Sequence, residues 1–310
     1  MTKPLRVWFP EFETEAHRAS WEAARLVAAL ADEGIECTLK MGLDCQAVFV
    51  ASFSTFLDAA YGYRKYPFNR PIVGYHHFPE VPVIQYCWDL YPFKVEIPND
   101  ESERWKAYLK ELKKAREIWV PSTCTVDRVR QYTGREATVV KTSIPLWEPP
   151  DGKVWDGRYV VDVVRKYPGE PNADACRTIC AELGIPCVEL NHGLSWDDFR
   201  KTIAGASFLV SPNYEASTGG LTLLEGYRLG KPVLLSNSPR HGGIDYFGER
   251  AHYFQWDSQE SLGEAMINLW RKPPRLNRQR CQEWVEGEYS NRAFARRIAD
   301  GLRRVVECAQ

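Results

Sequence analysis

This 310-residue chain lacks any excess of acidic or basic residues, with 40 Lys and Arg against 41 Asp and Glu for a formal net charge of −1. No global attraction to nucleic-acid phosphates or anionic lipid follows, although a local basic groove stays open. The chain also lacks extended apolar stretches. No stretch approaches the roughly 20 apolar residues that a bilayer crossing needs, and Met1 to Arg6 carries no apolar signal core. The expectation is a soluble, cytoplasmic protein that is not secreted. No two aspartates stand in an Asp-x-Asp pair, so an Mg²⁺ or Mn²⁺ site of that kind is not expected. No Cys-x-x-Cys pair occurs among the 9 cysteines either. They form an odd, irregularly spaced set in a chain long enough to fold without staples, and read as buried reduced thiols. Cys176, Cys180 and Cys187 with His192 come nearest to a zinc set. With Cys176 and Cys180 on a helical stretch, they too are read as core thiols.

What is present suits a two-domain globular protein: 44% of the residues are apolar and 26% charged, with length for two domains of about 150 residues. The 11 Trp are the compositional oddity, since Trp and Tyr are often recruited to stack on sugars or bases. Apolar strand-like runs alternate with helical periodicity along the chain. Strands are expected near residues 5–9, 36–41, 47–51, 71–75, 81–86, 118–122 and 139–145, and helices near 23–34, 55–63 and 99–117. After Pro145 to Gly152, rich in Pro and Gly, the alternation resumes. It runs through strand 159–164, helix 173–183, strand 187–190, helix 196–204, strand 208–211, helix 221–229, strand 231–236 and a long basic, apolar helix over 290–308. This is an α/β pattern. In parallel sheets the carboxyl edge binds ligands, and His76, His77, Trp88 and Asp89 fall at such strand ends.

Gly219 and Gly220 stand directly before a helix. Glycine lets backbone N–H groups approach an oxyanion and the helix N-terminus adds a favourable dipole, although a tight loop entering a helix explains the pair equally well. Glu215 lies just before this loop and Glu225 about one turn into the helix. Two carboxylates bracketing a diphosphate cradle suit a ligand with a sugar at each end, since a carboxylate accepts paired hydrogen bonds from vicinal hydroxyls. Such a ligand is a nucleotide sugar.

The segment Ser207-Phe208-Leu209-Val210-Ser211-Pro212-Asn213-Tyr214-Glu215, followed by Gly220-Leu221-Thr222-Leu223-Leu224-Glu225-Gly226-Tyr227-Arg228-Leu229-Gly230-Lys231-Pro232, resembles the donor-site signature of glycosyltransferase family 4. The likeness extends to His192-Gly193-Leu194-Ser195-Trp196 upstream and Gly242-Gly243-Ile244-Asp245 downstream. It implies a GT-B fold, two facing Rossmann-like domains with the active site in the cleft between them. The domains would span 1–148 on the acceptor side and 149–290 on the nucleotide-sugar side, with helix 291–310 crossing back to the first. By the same resemblance Glu215 touches the donor sugar and Glu225 the ribose. Amides of Thr218, Gly219, Gly220, Leu221 and Thr222 hold sugar and diphosphate, and His192, Gly193 and Leu194 border the base. Arg165 looks like the family's diphosphate-binding arginine, and Lys166 is the nearest substitute for its lysine, absent where Pro171 and Asn172 stand. Trp88 stands where the family commonly has a His beside Asp89, and His76 or His77 would supply an imidazole instead. The two glutamates are two residues further apart than in the family. The implied activity is a retaining, metal-independent transfer of a hexose from a UDP- or GDP-linked sugar, with no cofactor. The acceptor would be a glycan or small aglycone, with a modified DNA base as a further class. A nucleotide-sugar epimerase and a degenerate sugar-nucleotide-binding protein are the alternatives.

Overall fold

The computed structural model describes residues 4–9, 18–38 (18–24 as backbone only), 44–50, 80–87, 106, 109–110, 112–149, 159–163, 172, 174–190, 194–214 and 220–309. The chain forms two compact units, Met1–Thr142 with Asn291–Gln310, and Ser143–Ser290. No described helix is long and apolar enough to cross a membrane.

The first unit contains β1 (Leu5–Trp8), α1 (Arg18–Asp32), β2 (Ile35–Thr38), β3 (Ala47–Val50), β4 (Val83–Tyr86), β5 (Glu117–Val120), α2 (Thr123–Thr133) and β6 (Thr138–Val139). The strands form one sheet in the order β2-β1-β3-β4-β5-β6, every described pair parallel. All four residues of β3, and all four of β4, are buried. That is the continuous apolar run of a strand covered on both faces. Alternate residues serve opposite cores: Val48 and Val50 join Ile118, Val120 and Val129, whereas Ala47 and Phe49 join Val7, Ile84 and Trp119. The second face is closed by the chain's last described helix, Asn291–Glu307, which also packs on α1. Its buried residues Phe294, Ala295, Ile298, Ala299, Leu302, Val305 and Val306 repeat at helical spacing, with arginines on the other side. The helix expected over 99–117 lies largely outside the described residues; Leu112 and Ala115 are buried and Glu117 already opens β5. The segments expected at 55–63 and 71–75 also lie outside them.

The second unit contains β7 (Val160–Asp162), α3 (Ala175–Leu183), β8 (Cys187–Glu189), α4 (Trp196–Gly205), β9 (Phe208–Ser211), α5 (Leu221–Arg228), β10 (Val233–Ser236), α6 (Gly243–Phe247), β11 (His252–Phe254), α7 (Gln259–Arg271) and α8 (Arg278–Tyr289), before α9 (Asn291–Glu307) returns to the first. Its parallel sheet runs β11-β10-β9-β7-β8. Val161, Leu209, Val233 and Leu235 face one core and Val160, Phe208, Val210 and Leu234 the other. The strand expected over 139–145 is only Thr138–Val139. Beyond it the backbone turns to other partners, and Ile144 donates its N–H to the Tyr289 carbonyl at 2.9 Å. The Pro-rich stretch is docked over Ile144 to Glu148. Trp147 is buried, and its carbonyl accepts from Arg228 Nη1 at 2.6 Å. Arg228, itself buried, also pairs with Glu286 at 2.6 Å and Glu148 at 2.8 Å. A guanidinium with three oxygen partners is the arrangement that makes such burial tolerable.

One close approach tests the packing of α9. A Cβ at Gly301 would lie 2.5 Å from Trp119 Cζ2, and the Trp119 ring is itself fully buried, with its indole N–H donating to Glu117 Oε2 at 2.7 Å. Alanine gains up to about 1 kcal/mol of helix propensity, whereas overpacking costs about 1–3 kcal/mol. Gly301→Ala should therefore lower stability by up to about 2 kcal/mol, read as a lower urea midpoint. An unchanged or higher midpoint would mean that the indole yields without cost.

Candidate functional site

In each sheet the strand order reverses next to the first strand, and in the second unit this switch lies between β7 and β9. Ligands of open α/β sheets bind beyond the carboxyl ends of the strands at such a point. Six buried polar side chains of the second unit gather at that edge: Asp162 ends β7, Ser211 ends β9 and Ser236 ends β10, and Asn213, Ser238 and His241 follow in the loops.

His241 organises the edge. Its Nδ1 accepts the Gly243 N–H at 3.1 Å, which puts the ring proton on Nε2, and Nε2 donates to Ser211 Oγ at 3.0 Å. The Ser211 hydroxyl is then turned toward Asn213 Oδ1 at 3.5 Å. Burial pushes the His241 pKa down to about 4, so the ring is neutral near pH 7. The same loop is pinned by Arg240 N–H donating to Ser238 Oγ at 3.1 Å and Ser238 N–H donating to Ser236 Oγ at 3.2 Å. Outside it, Tyr214 packs on Trp256 with centroids 4.6 Å apart, and the Arg240 guanidinium lies 5.4 Å from the Tyr214 ring centroid. Trp256 is held through its backbone, donating to Asn237 Oδ1 at 3.0 Å and accepting from Asn172 Nδ2 at 2.8 Å. Four connections, those after β7, β9, β10 and β11, are thereby tied together.

The start of α5 lies on the same edge. Gly220 has φ 77° and ψ 75°, the left-handed region, and a Cβ there would come 2.8 Å from Leu223 Cδ1. Only glycine meets both conditions without strain. Leu221 and Thr222, half-buried, occupy the first turn, where N–H groups lack intrahelical acceptors and the helix dipole favours negative charge. Leu223 and Leu224 are buried in the core, which fixes the helix rotation and leaves Glu225 buried one turn in. Leu194 precedes α4, whose cap Ser195 accepts the Asp198 N–H at 3.1 Å and donates to Asp198 Oδ2 at 2.7 Å. Leu194 and Trp196 are exposed, and Trp196 stacks on Phe199 with centroids 5.2 Å apart.

Of the residues singled out in the sequence, the structure brings Leu194, Gly220, Leu221, Thr222 and Glu225 to this carboxyl-edge region. Arg165, Lys166, Glu215, Asp89, His192, Gly193, Thr218, Gly219, His76, His77 and Trp88 lie outside the described residues. Sequence reasoning missed His241, Asn213, Arg240, Asn172 and the Tyr214–Trp256 pair. The available signal was His241 directly before Gly242-Gly243 in a loop following a strand.

All nine cysteines are free thiols. Three converge: the sulfurs of Cys176, Cys180 and Cys187 all lie within 4.8 Å of one another. Hydrogen bonds from Cys176 and Cys180 pull the Cys187 thiol down to about 4. The Cys176 thiol is pushed up by its hydrogen bonds to Cys180 and Cys187 and by burial.

No protein-family model and no curated protein sequence matches the chain. Solved structures do. Anabaena HepE, crystallised in complex with UDP-glucose, superposes with a TM-score of 0.64 at 10% identity over 96% of this chain and 99% of its own. A sucrose-phosphate synthase from Thermosynechococcus elongatus does so with a TM-score of 0.62 at 11% identity over 98% and 99%. AviGT4, a glycosyltransferase involved in avilamycin A biosynthesis, follows with a TM-score of 0.57 at 12% identity over 98% and 99%. The chain has the α/β GT-B fold of these proteins, two Rossmann-like units each built on a parallel sheet.

The buried imidazole gives the stability a pH dependence of known sign. Unfolded, His241 takes a proton below its ordinary 6.5; folded, it does so only near 4. The neutral ring's contribution is whole above 6.5 and is lost as pH falls toward 4, on the order of 3 kcal/mol. In urea unfolding over this window, His241→Asn should flatten the slope by about one proton. An identical slope in both proteins would remove this role.

Proposed function

We propose that the chain is a glycosyltransferase that moves a hexose from a UDP- or GDP-linked sugar to an acceptor hydroxyl, with retention of configuration and without a metal ion, in the manner of family 4. The observation that carries this reading is the start of α5. A glycine held at φ 77° opens a helix on the carboxyl edge of a parallel sheet, with a carboxylate buried one turn inside. The full-length likeness to GT-B structures, one of them a UDP-glucose complex, supports it. Nine free thiols suit a reducing compartment, and we assign the protein to the cytoplasm.

In this reading the diphosphate sits at the amides of Thr218 to Thr222, Glu225 accepts from the ribose hydroxyls and Glu215 from those of the sugar. His192, Gly193 and Leu194 border the base. Arg165 and Lys166 offset the charge that grows on the leaving diphosphate. The acceptor oxygen bonds to the anomeric carbon on the face the diphosphate leaves. The old carbon–oxygen bond breaks with its electron pair on the phosphate oxygen, and that oxygen takes the acceptor's proton. No protein base is needed, which accommodates Trp88 beside Asp89. Asp89, His76, His77 and Trp88 are assigned to the acceptor, a glycan or small aglycone ahead of a modified DNA base.

Calorimetric titration with UDP, GDP, ADP and dTDP in the presence of a chelator tests the reading. One nucleotide should bind, and Arg165→Ala should weaken it about 10–100-fold, the worth of a charge-assisted hydrogen bond. Glu215→Ala should leave nucleotide binding intact and reduce transfer from the matching sugar nucleotide about 100-fold, as loss of a transition-state contact does. Binding of none of the four would overturn the donor site, and binding abolished by chelator but restored by Mg²⁺ or Mn²⁺ would overturn metal independence.

A further inference from the structure

The thiol cluster is independent of sugar transfer. Cys176 and Cys180 stand one turn apart on the same face of α3, and Cys187 opens the edge strand β8. Among the described residues this is the one group of three or more His, Cys, Asp or Glu whose donor atoms could share an ion. Buried cysteines are ordinarily small core hydrophobes. Cys45, Cys87, Cys124 and Cys281 are buried in that manner with no part in such a group, so convergence of three is the feature to explain. A disulfide would use two and strand the third, and all three are reduced.

We propose that Cys176, Cys180 and Cys187 form a three-thiolate zinc site that clips α3 to the edge strand β8. Zinc–sulfur bonds of about 2.3 Å in a tetrahedron put sulfurs about 3.8 Å apart. The sulfurs, within 4.8 Å of one another, need close by no more than about 1 Å. Sulfur donors select a soft cation such as zinc over magnesium or calcium. Cys187 is only half-buried, which gives the ion an entry path and leaves the fourth position to water. The clip would fix the N-terminal half of α3. The connection entering that helix from β7 carries Asn172 on the Trp256 carbonyl.

The test uses the reduced, metal-stripped full chain and Co²⁺ as a spectroscopic probe. One equivalent should produce the sulfur-to-cobalt charge-transfer band of a thiolate site, bleached by stoichiometric Zn²⁺, and Zn²⁺ alone should raise the melting temperature. Cys187→Ser should lose the band and the shift, whereas Cys308→Ser, at an exposed position, should keep both. Absence of a band at one equivalent, its survival in Cys187→Ser or its loss in Cys308→Ser would overturn the site. Should Cys187→Ser fold poorly, alkylation of the wild-type chain decides: Zn²⁺ should protect Cys187 several-fold more than Cys308, and equal labelling overturns it. Nucleotide binding is measured with chelator present, so failure of either proposal leaves the other standing.

Discussion

A parallel sheet covered by helices on both faces has no wet side, so any polar group its strands carry must move to a strand end or find partners inside. Both sheets of this chain obey that constraint. Strands such as Ala47–Val50 and Val233–Ser236 are buried at every position. In the second unit the polar residues collect where the strands stop, at Asp162, Ser211 and Ser236. The edge that gathers chemistry is thus a by-product of how the core is closed, and the glycine-opened helix α5 is set on it by Leu223 and Leu224.

Two of the charged or titratable groups that enter the interior come with their partners. Arg228 meets the Trp147 carbonyl and two carboxylates, and in doing so pins the incoming chain to α5 and α8. His241 is kept uncharged and uses both ring nitrogens. Breaking one member of such a set leaves the rest buried without compensation, which costs more than the set contributes when whole.

The architecture was largely legible in the sequence because apolar runs and helical spacing are local signals. Phe208 to Ser211 was readable as a strand to the residue, and Gly220 as a helix start, since a left-handed residue packed against Leu223 demands glycine. The short β6 was not, because Val140 and the residues after it have strand-like composition and only tertiary partners divert them. His241 escaped notice because its meaning depends on Ser211, 30 residues away. The three thiols stood out in the sequence but read as core residues: Cys176 and Cys180 show helical spacing, and only the packing of α3 on β8 brings Cys187 to them. Arg165, Glu215 and the strand-end residues of the first unit rest on motif resemblance, outside the described residues.

The return of α9 to the first unit bears on the order in which a ribosome-borne chain can fold. Val7, Phe49, Ile84 and Trp119 need Phe294, Ile298 and Leu302 to complete their core. Those residues emerge only after the whole of 143–290 has been made, on the order of 10 s later at about 5–20 residues per second. The first unit begun is therefore the last to be finished. During that interval its uncovered sheet face is the part of the nascent protein most in need of a chaperone, while the second unit, contiguous in sequence, closes its own core without waiting.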